Sequence, residues 1–422
     1  MWRSITINLA DLLFSVSEAM DLSDPSLVDH QIRTAYVSSE LAQAAALNHH
    51  DAERLFTAAL LHDIGALSPE EKLGIHMHED LRPEPHCQRG GTLFREAFWL
   101  APAADIIDWH HTPYAVHREH GRSLSDASVT EAQMLLLGDV LERSVDRNRF
   151  ILHQLDGLRA RIRKLSGTLL HPDLVLLFEQ VAKREEFWLE LVSRDLSRHL
   201  RERSLLRFIN IDYPAARAVA GVLKDITDFR SRFTAAHSTG VASCARQIAE
   251  VLHFSGKDLQ QIELAGFLHD IGKLVVPNSI LCKPGMLSPQ EYAVVRQHPF
   301  YTHRILARVR GFEQIAEWAS CHHERLDGSG YPAQLDRHSL DLGAKVVAVA
   351  DVAAAIAERR PYRDPGGQQA VLTALQDMSV KGLLEPTIVE ALADRYNQIM
   401  DNVHAAQADD EQRYQARYAQ FS

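Results

Sequence analysis

The chain has 422 residues, 46 % hydrophobic and 24 % charged, enough for two or three domains that each bury a core. Its 45 basic and 56 acidic residues leave a net charge of -11, which speaks against a general DNA or RNA binder, since such proteins need basic stripes to release counterions. Four scattered cysteines (Cys87, Cys244, Cys282 and Cys321) with no C-x-x-C pair exclude a disulfide scaffold and a cysteine-type zinc site, and fit a reducing cytoplasm.

The chain opens with MWRSITINLADLLFSV, which carries Asp11 inside its apolar stretch and no small-residue cleavage pattern, so no signal peptide is expected. No apolar run reaches the ~20 residues of a membrane span. Strand signals are almost absent. Stretches such as AARAVAGVLKDITDFRSRF and PTIVEALADRYNQIMDNV space apolar residues at helical intervals, and prolines punctuate between such stretches. The predicted fold class is all-α.

In the first half, TAALLHDIG (57–65) sits within an ordered set of polar residues: His30, His62, Asp63, His86, His110, His111 and Asp139. The segment WLELVSRDLSRHLRERSLLRFI (188–209) is charged and helix-permissive, and is expected to form a connecting helix. In the second half LAGFLHDIG (264–272) is a near copy of the first motif, and the same set recurs as His237, His269, Asp270, His298, His322, His323 and Asp351. His30 to His62 and His237 to His269 both span 32 residues. His86 to His110 and His298 to His322 both span 24, and His110 to Asp139 and His322 to Asp351 both span 29. Only the step from the HD pair to the next histidine differs, 24 residues from His62 against 29 from His269. Equal intervals with the same residue types mark a tandem duplication of one helical domain of about 200 residues, divided as 1–200 and 201–422. The polar tail AQADDEQRYQARYAQFS reads as a terminal helix.

Imidazole and carboxylate suit borderline divalent metals such as iron, manganese or zinc. An Asp at the end of an apolar helical turn is costly without a cation, and one carboxylate can bridge two metals. Two metals ~3.5–4 Å apart form the clamp that hydrolyses phosphate esters in line. His76, His78, His117, His120, His153 and His253 follow no repeated spacing and are expected to be surface or satisfied core residues.

With HDIGK at 269–273, HHERLDGSGYP at 322–332 and ADVAAAIAERRPYR at 350–363, the second half resembles the HD-GYP family of HD metal-dependent phosphohydrolases over about residues 230–363. The resemblance implies two tandem HD-type helical bundles and hydrolysis of a cyclic dinucleotide, cyclic di-GMP or 3',3'-cGAMP, to the linear dinucleotide. It implies that His237, His269, Asp270 and Asp351 hold one metal, and that Asp270 bridges to a second held by His298, His322 and His323. It further implies iron, manganese or another transition metal, catalytic roles for Asp270 and Lys273, and phosphate binding by Lys273, Arg360 and Arg363. Three-metal members carry a Glu four residues before the first His; Phe233 stands there, so two metals are expected. In DGSGYP the glycines permit a tight turn, and Tyr331 could shape the loop beside the metals or contact a regulatory partner.

The first half keeps all seven candidate ligands yet has Ala66 where Lys273 stands, WHHTPYAVHREH in place of the Gly-Tyr-Pro loop, and Asn148 and Ile151 at the places of Arg360 and Arg363. A metal-loaded domain of weak activity, a ligand sensor and a packing partner all fit; a metal-binding, regulatory or structural role is preferred. For the whole chain, a cyclic dinucleotide sensor without turnover and an HD hydrolase of other nucleoside phosphates remain the alternatives. No nucleic-acid polymer and no membrane is expected as a partner; a second copy of the chain and another signalling protein are the protein partners left open. The expected location is the cytoplasm.

Overall fold

A computed structural model describes residues 6–21, 27–66, 68–77, 84–228, 236–358 and 365–418. The described residues are overwhelmingly helical, and the only strand pairing among them is Ile7–Asn8 antiparallel to Asn210–Ile211. The chain divides into two compact units, one of Leu9–Ile209 and one of Met1–Asn8 with Asn210–Ser422. The short strand pair ties the start of the chain to the unit built from its second half, a long-range pairing that no local pattern announces.

In the first unit the helix His30–Ala44 packs against His49–Leu60 and Ala127–Ser144. Asn48 starts the middle helix by accepting from Asp51 N (3.0 Å), and Asp126 starts the last by accepting from Ser128 N (3.1 Å). The segment expected to be one connecting helix is instead three short pieces, Glu185–Leu191, Leu196–Arg203 and the 3-10 turn Leu205–Phe208. Ser193 breaks the run by accepting from Asp195 N, and Trp188, Leu191, Leu196, Leu200 and Leu206 turn inward, so the segment belongs to the core of the first unit.

The second unit repeats the arrangement. The helix His237–Val251 packs against Gly256–Leu268, Leu342–Ala357 and the long helix Tyr396–Tyr418. Ser255 caps the second of these through Asp258 N, fourteen residues before His269 as Asn48 stands fourteen before His62. Asp341 caps Leu342–Ala357 through Gly343 N (2.8 Å). Gly266 lets the first two helices touch: a Cβ there would lie 2.5 Å from the Ala242 Cα. No helix among the described residues is long and apolar enough to cross a membrane.

Candidate metal centre

Each candidate ligand of the second unit sits where a helix begins, ends or is most deeply buried. His237 opens its helix, His269 and Asp270 follow the end of Gly256–Leu268, and His298 opens His298–Leu306. His322 and His323 follow Glu313–Ser320, and Asp351 lies in the buried middle of Leu342–Ala357. Gly272 explains the glycine of the HDIG motif. A Cβ there would lie 1.9 Å from His298 O and 2.7 Å from Thr302 N, so only glycine lets the helix of His298 cross the turn that carries Asp270. Thr302 fastens the crossing, donating to His269 O (2.9 Å) and accepting from Gly272 N (3.1 Å).

The side chains converge into two groups that share Asp270. Its Oδ1 lies 3.3 Å from His298 Nε2 and 3.9 Å from His322 Nε2, and its Oδ2 lies 3.3 Å from His269 Nε2. Asp351 faces the same space, with Oδ1 3.3 Å from His237 Nε2 and 3.8 Å from His269 Nε2, and Oδ2 3.9 Å from His323 Nδ1. His237, His269 and Asp351 form one set of potential ligands, and His298, His322 and His323 another. Lys273 also reaches Asp270 Oδ2.

The far nitrogens fix which imidazole atoms face inward. His269, His298 and His322 each donate from Nδ1 to the backbone carbonyl three residues earlier, Gly266 (2.8 Å), Val295 (2.8 Å) and Ala319 (2.7 Å), and His237 donates from Nδ1 to Glu358 Oε2 (2.9 Å). In the neutral form of each ring, with Nδ1 protonated, Nε2 carries the lone pair that a metal-ligating imidazole requires. The buried His269 Nε2 makes no hydrogen bond. Burial brings His298 down to about 3 and His323 to about 4, leaving neutral imidazoles. Burial also disfavours the Asp270 and Asp351 carboxylates. The His269 imidazole and Lys273 ammonium nevertheless hold Asp270 well below its usual range, and His237 with His322 does the same for Asp351. Burial lowers His237, but Glu358 and Asp351 overcome it and raise the ring to about 10. Buried carboxylates that draw positive charge, surrounded by inward-facing imidazole nitrogens, form a donor set that fits a divalent cation.

The Gly-Tyr-Pro loop packs directly on the turn after His323. A Cβ on Gly330 would lie 2.4 Å from Glu324 Cα, and Glu324 accepts from Ala333 N (2.7 Å) and Leu335 N (3.0 Å). The Tyr331 ring lies against His323 with centroids 4.8 Å apart, and the Arg296 guanidinium covers the Tyr331 ring at 4.6 Å. Of the two roles open to Tyr331, walling the ligand cluster is the one its contacts describe.

The first unit builds the same constellation. Asp63 Oδ2 lies 3.6 Å from both His30 Nε2 and His62 Nε2, and Asp63 Oδ1 lies 3.7 Å from His86 Nε2. Asp63, His86, His110 and His111 form one group of potential ligands, and His30, His62 and Asp63 another. Asp139 Oδ1 stands 3.5 Å from His30 Nε2. Gly65 repeats Gly272: a Cβ there would lie 2.0 Å from His86 O. Ala66 is buried where the second unit has Lys273.

Phe233, Arg360 and Arg363 lie outside the described residues, as does His78. Several neighbours escaped the sequence reading. Glu142, three residues after Asp139, accepts from His30 Nδ1 (2.6 Å), whereas Glu358, seven after Asp351, serves His237. Both carboxylates stand one or two helical turns beyond a ligand, a same-face spacing that could have flagged them. His76, expected to be a bland histidine, packs edge-on to His30 with centroids 5.0 Å apart; no spacing rule reveals it, because no histidine lies between His269 and His298.

An HD domain family model matches residues 221–388, and an HDOD domain model matches residues 6–81. The chain is 28 % identical over 397 residues to the 3'3'-cGAMP-specific phosphodiesterase 1 of Vibrio cholerae, covering 92 % of this chain and 91 % of that protein. It is 36 % identical over 185 residues to a cyclic di-GMP phosphodiesterase of Thermotoga maritima, covering 43 % of this chain and 50 % of that protein. The fold matches the crystal structure of a cyclic GMP-AMP specific phosphodiesterase of V. cholerae with a TM-score of 0.63 at 23 % identity, covering 94 % of this chain and 98 % of that one. With its HD pair, its Gly-Tyr-Pro loop packed on the paired histidines and its matched HD domain, the second half of the chain carries an HD domain and is similar to these cyclic dinucleotide phosphodiesterases.

Proposed function

We propose that the second unit is a metal-dependent phosphodiesterase that opens a cyclic dinucleotide, 3',3'-cGAMP or cyclic di-GMP, to its linear form. The observation that carries this reading is Asp270, whose two oxygens face two separate sets of inward imidazole nitrogens. His237, His269 and Asp351 would hold one divalent ion, His298, His322 and His323 a second, with Asp270 shared between them. Iron or manganese fits the nitrogen and oxygen donors. Such a pair, when bound, supplies the Lewis-acid charge that acidifies an attacking water and neutralises phosphate oxygens.

The chain's own groups do the rest. The Nδ1 bonds to Gly266, Val295, Ala319 and Glu358 hold the four rings in place before substrate arrives. Lys273 is positioned beside Asp270 to place an ammonium on a non-bridging phosphate oxygen as charge grows there. Water adds to phosphorus, one ester P–O bond breaks, and the departing sugar oxygen takes a proton. Relatives named as cGAMP-specific and cyclic di-GMP phosphodiesterases support the substrate class. We assign the first unit, which retains seven candidate ligands but lacks the lysine and the Gly-Tyr-Pro loop, a metal-binding regulatory or structural role. Cysteine usage supports a cytoplasmic location.

Purified protein supplied with Mn²⁺ or Fe²⁺ is assayed on cyclic di-GMP, 3',3'-cGAMP and cyclic di-AMP. Linear product lost on Asp270→Ala and retained on Asp63→Ala is the expected result. Binding without turnover would make the chain a sensor, and equal loss with Asp63→Ala would overturn the division of labour between the units.

A further inference from the structure

The two metal constellations differ in what covers them. In the first unit the helix Pro69–Met77 brings His76 against His30, and His30, His76 and Glu142 each offer a ligand atom within 4.8 Å of one another. His76 Nδ1 is buried and makes no hydrogen bond among the described residues. His30 has no nitrogen to spare for it: Nδ1 is taken by Glu142 at 2.6 Å, and Nε2 faces His62 at 3.1 Å and Asp139 at 3.5 Å.

The helix is held in that position from both ends. Near its start the buried Lys72 ammonium meets the buried Asp21 carboxylate at 2.6 Å. At its end Arg143 donates to Ile75 O (3.2 Å) while its other terminal nitrogen lies 2.9 Å from Asp139 Oδ2. Arg143 stands four residues after Asp139, where the second copy has Ala355 four after Asp351. One guanidinium therefore fixes the segment that carries His76 and forms an ion pair with Asp139. A metal site whose positions are filled by protein is structural, whereas a catalytic one keeps a position open.

We propose that His76 supplies an additional imidazole to the metal centre of the first unit, beside His30, His62 and Asp139, closing that ion off from substrate so that it is resident and non-catalytic. This rests on the metal-binding role assigned to the first unit above. The added nitrogen favours ions that prefer imidazole, such as Zn²⁺ or Co²⁺, over oxygen-seeking Mg²⁺.

The test uses the full chain carrying Asp270→Ala, which removes the shared ligand of the second unit, loaded with Co²⁺ and dialysed. Cobalt per chain, the visible absorption band and the rate of release to a chelator are then compared with the same chain bearing His76→Ala, His76→Gln or Asp63→Ala. His76→Gln keeps a polar side chain of similar bulk and separates ligand loss from collapse of the helix. Expected are loss of the retained cobalt on Asp63→Ala, and on both His76 variants a shifted band with release faster by at least about ten-fold. Band and release unchanged in both His76 variants, with cobalt still lost on Asp63→Ala, would make His76 a packing contact and overturn this inference alone. Cobalt unchanged on Asp63→Ala would overturn the metal-binding role of the first unit as well.

Discussion

Replacing Gly272 by alanine adds one methyl group at the crossing on which the second unit's site depends. The new Cβ would lie 1.9 Å from His298 O and 2.7 Å from Thr302 N, both backbone atoms of the helix His298–Leu306. Relief to an ordinary contact of 3.4 Å demands a displacement of about 1.5 Å, and the neighbours are backbone atoms of a packed helix. That helix carries His298, whose Nε2 stands only 3.3 Å from Asp270 Oδ1, so the shift is nearly half the distance that defines the shared ligand. Overpacking of this kind costs about 1–3 kcal/mol of stability, and misplacement of a reacting group by ~1 Å costs roughly 100-fold in rate. Gly272→Ala is therefore expected to lose about two orders of magnitude in kcat/KM on the cyclic dinucleotide, together with bound metal measured by elemental analysis. Gly65→Ala imposes the same strain in the first unit, with its Cβ 2.0 Å from His86 O, and is expected to leave turnover unchanged. A Gly272→Ala protein that keeps parental metal content and turnover would refute the reasoning.

Lys273→Ala should retain its metals and lose roughly 10²-fold in kcat, measured by steady-state kinetics on the reconstituted protein, because one charge aimed at the developing oxyanion is gone. Burial raises the Cys244 thiol to about 12, so the reactive thiolate is scarce at pH 8. Mass spectrometry after iodoacetamide treatment should find the exposed Cys282 alkylated and Cys244 protected until the protein is unfolded. Trp188→Ala should lower the unfolding free energy by about 3–5 kcal/mol in denaturant titrations, since the ring is fully buried and its N–H donates to Ala182 O (2.9 Å).

The candidate ligand set was legible because duplication printed it twice. His30, His62, Asp63, His86, His110, His111 and Asp139 share order, chemistry and three intervals with their counterparts from His237 to Asp351, and spacing of that kind survives without knowledge of how the helices pack. The helical class followed for a similar reason, since apolar periodicity and caps such as Asn48 and Ser255 are local. The segment 188–209 misled for want of tertiary information: its charges suit an exposed helix, but Trp188, Leu191 and Leu200 find a core that only the fold supplies.

By itself, then, the sequence determined which residues could hold metals and that two such sets exist. The tertiary structure decided what surrounds them: Glu142 behind His30 but Glu358 behind His237, Gly330 seating Tyr331 on His323, and Arg143 holding His76 over the first site. These partners come from separate helices whose approach depends on side-chain packing across the bundle, and packing between distant segments leaves no periodic mark on a single chain.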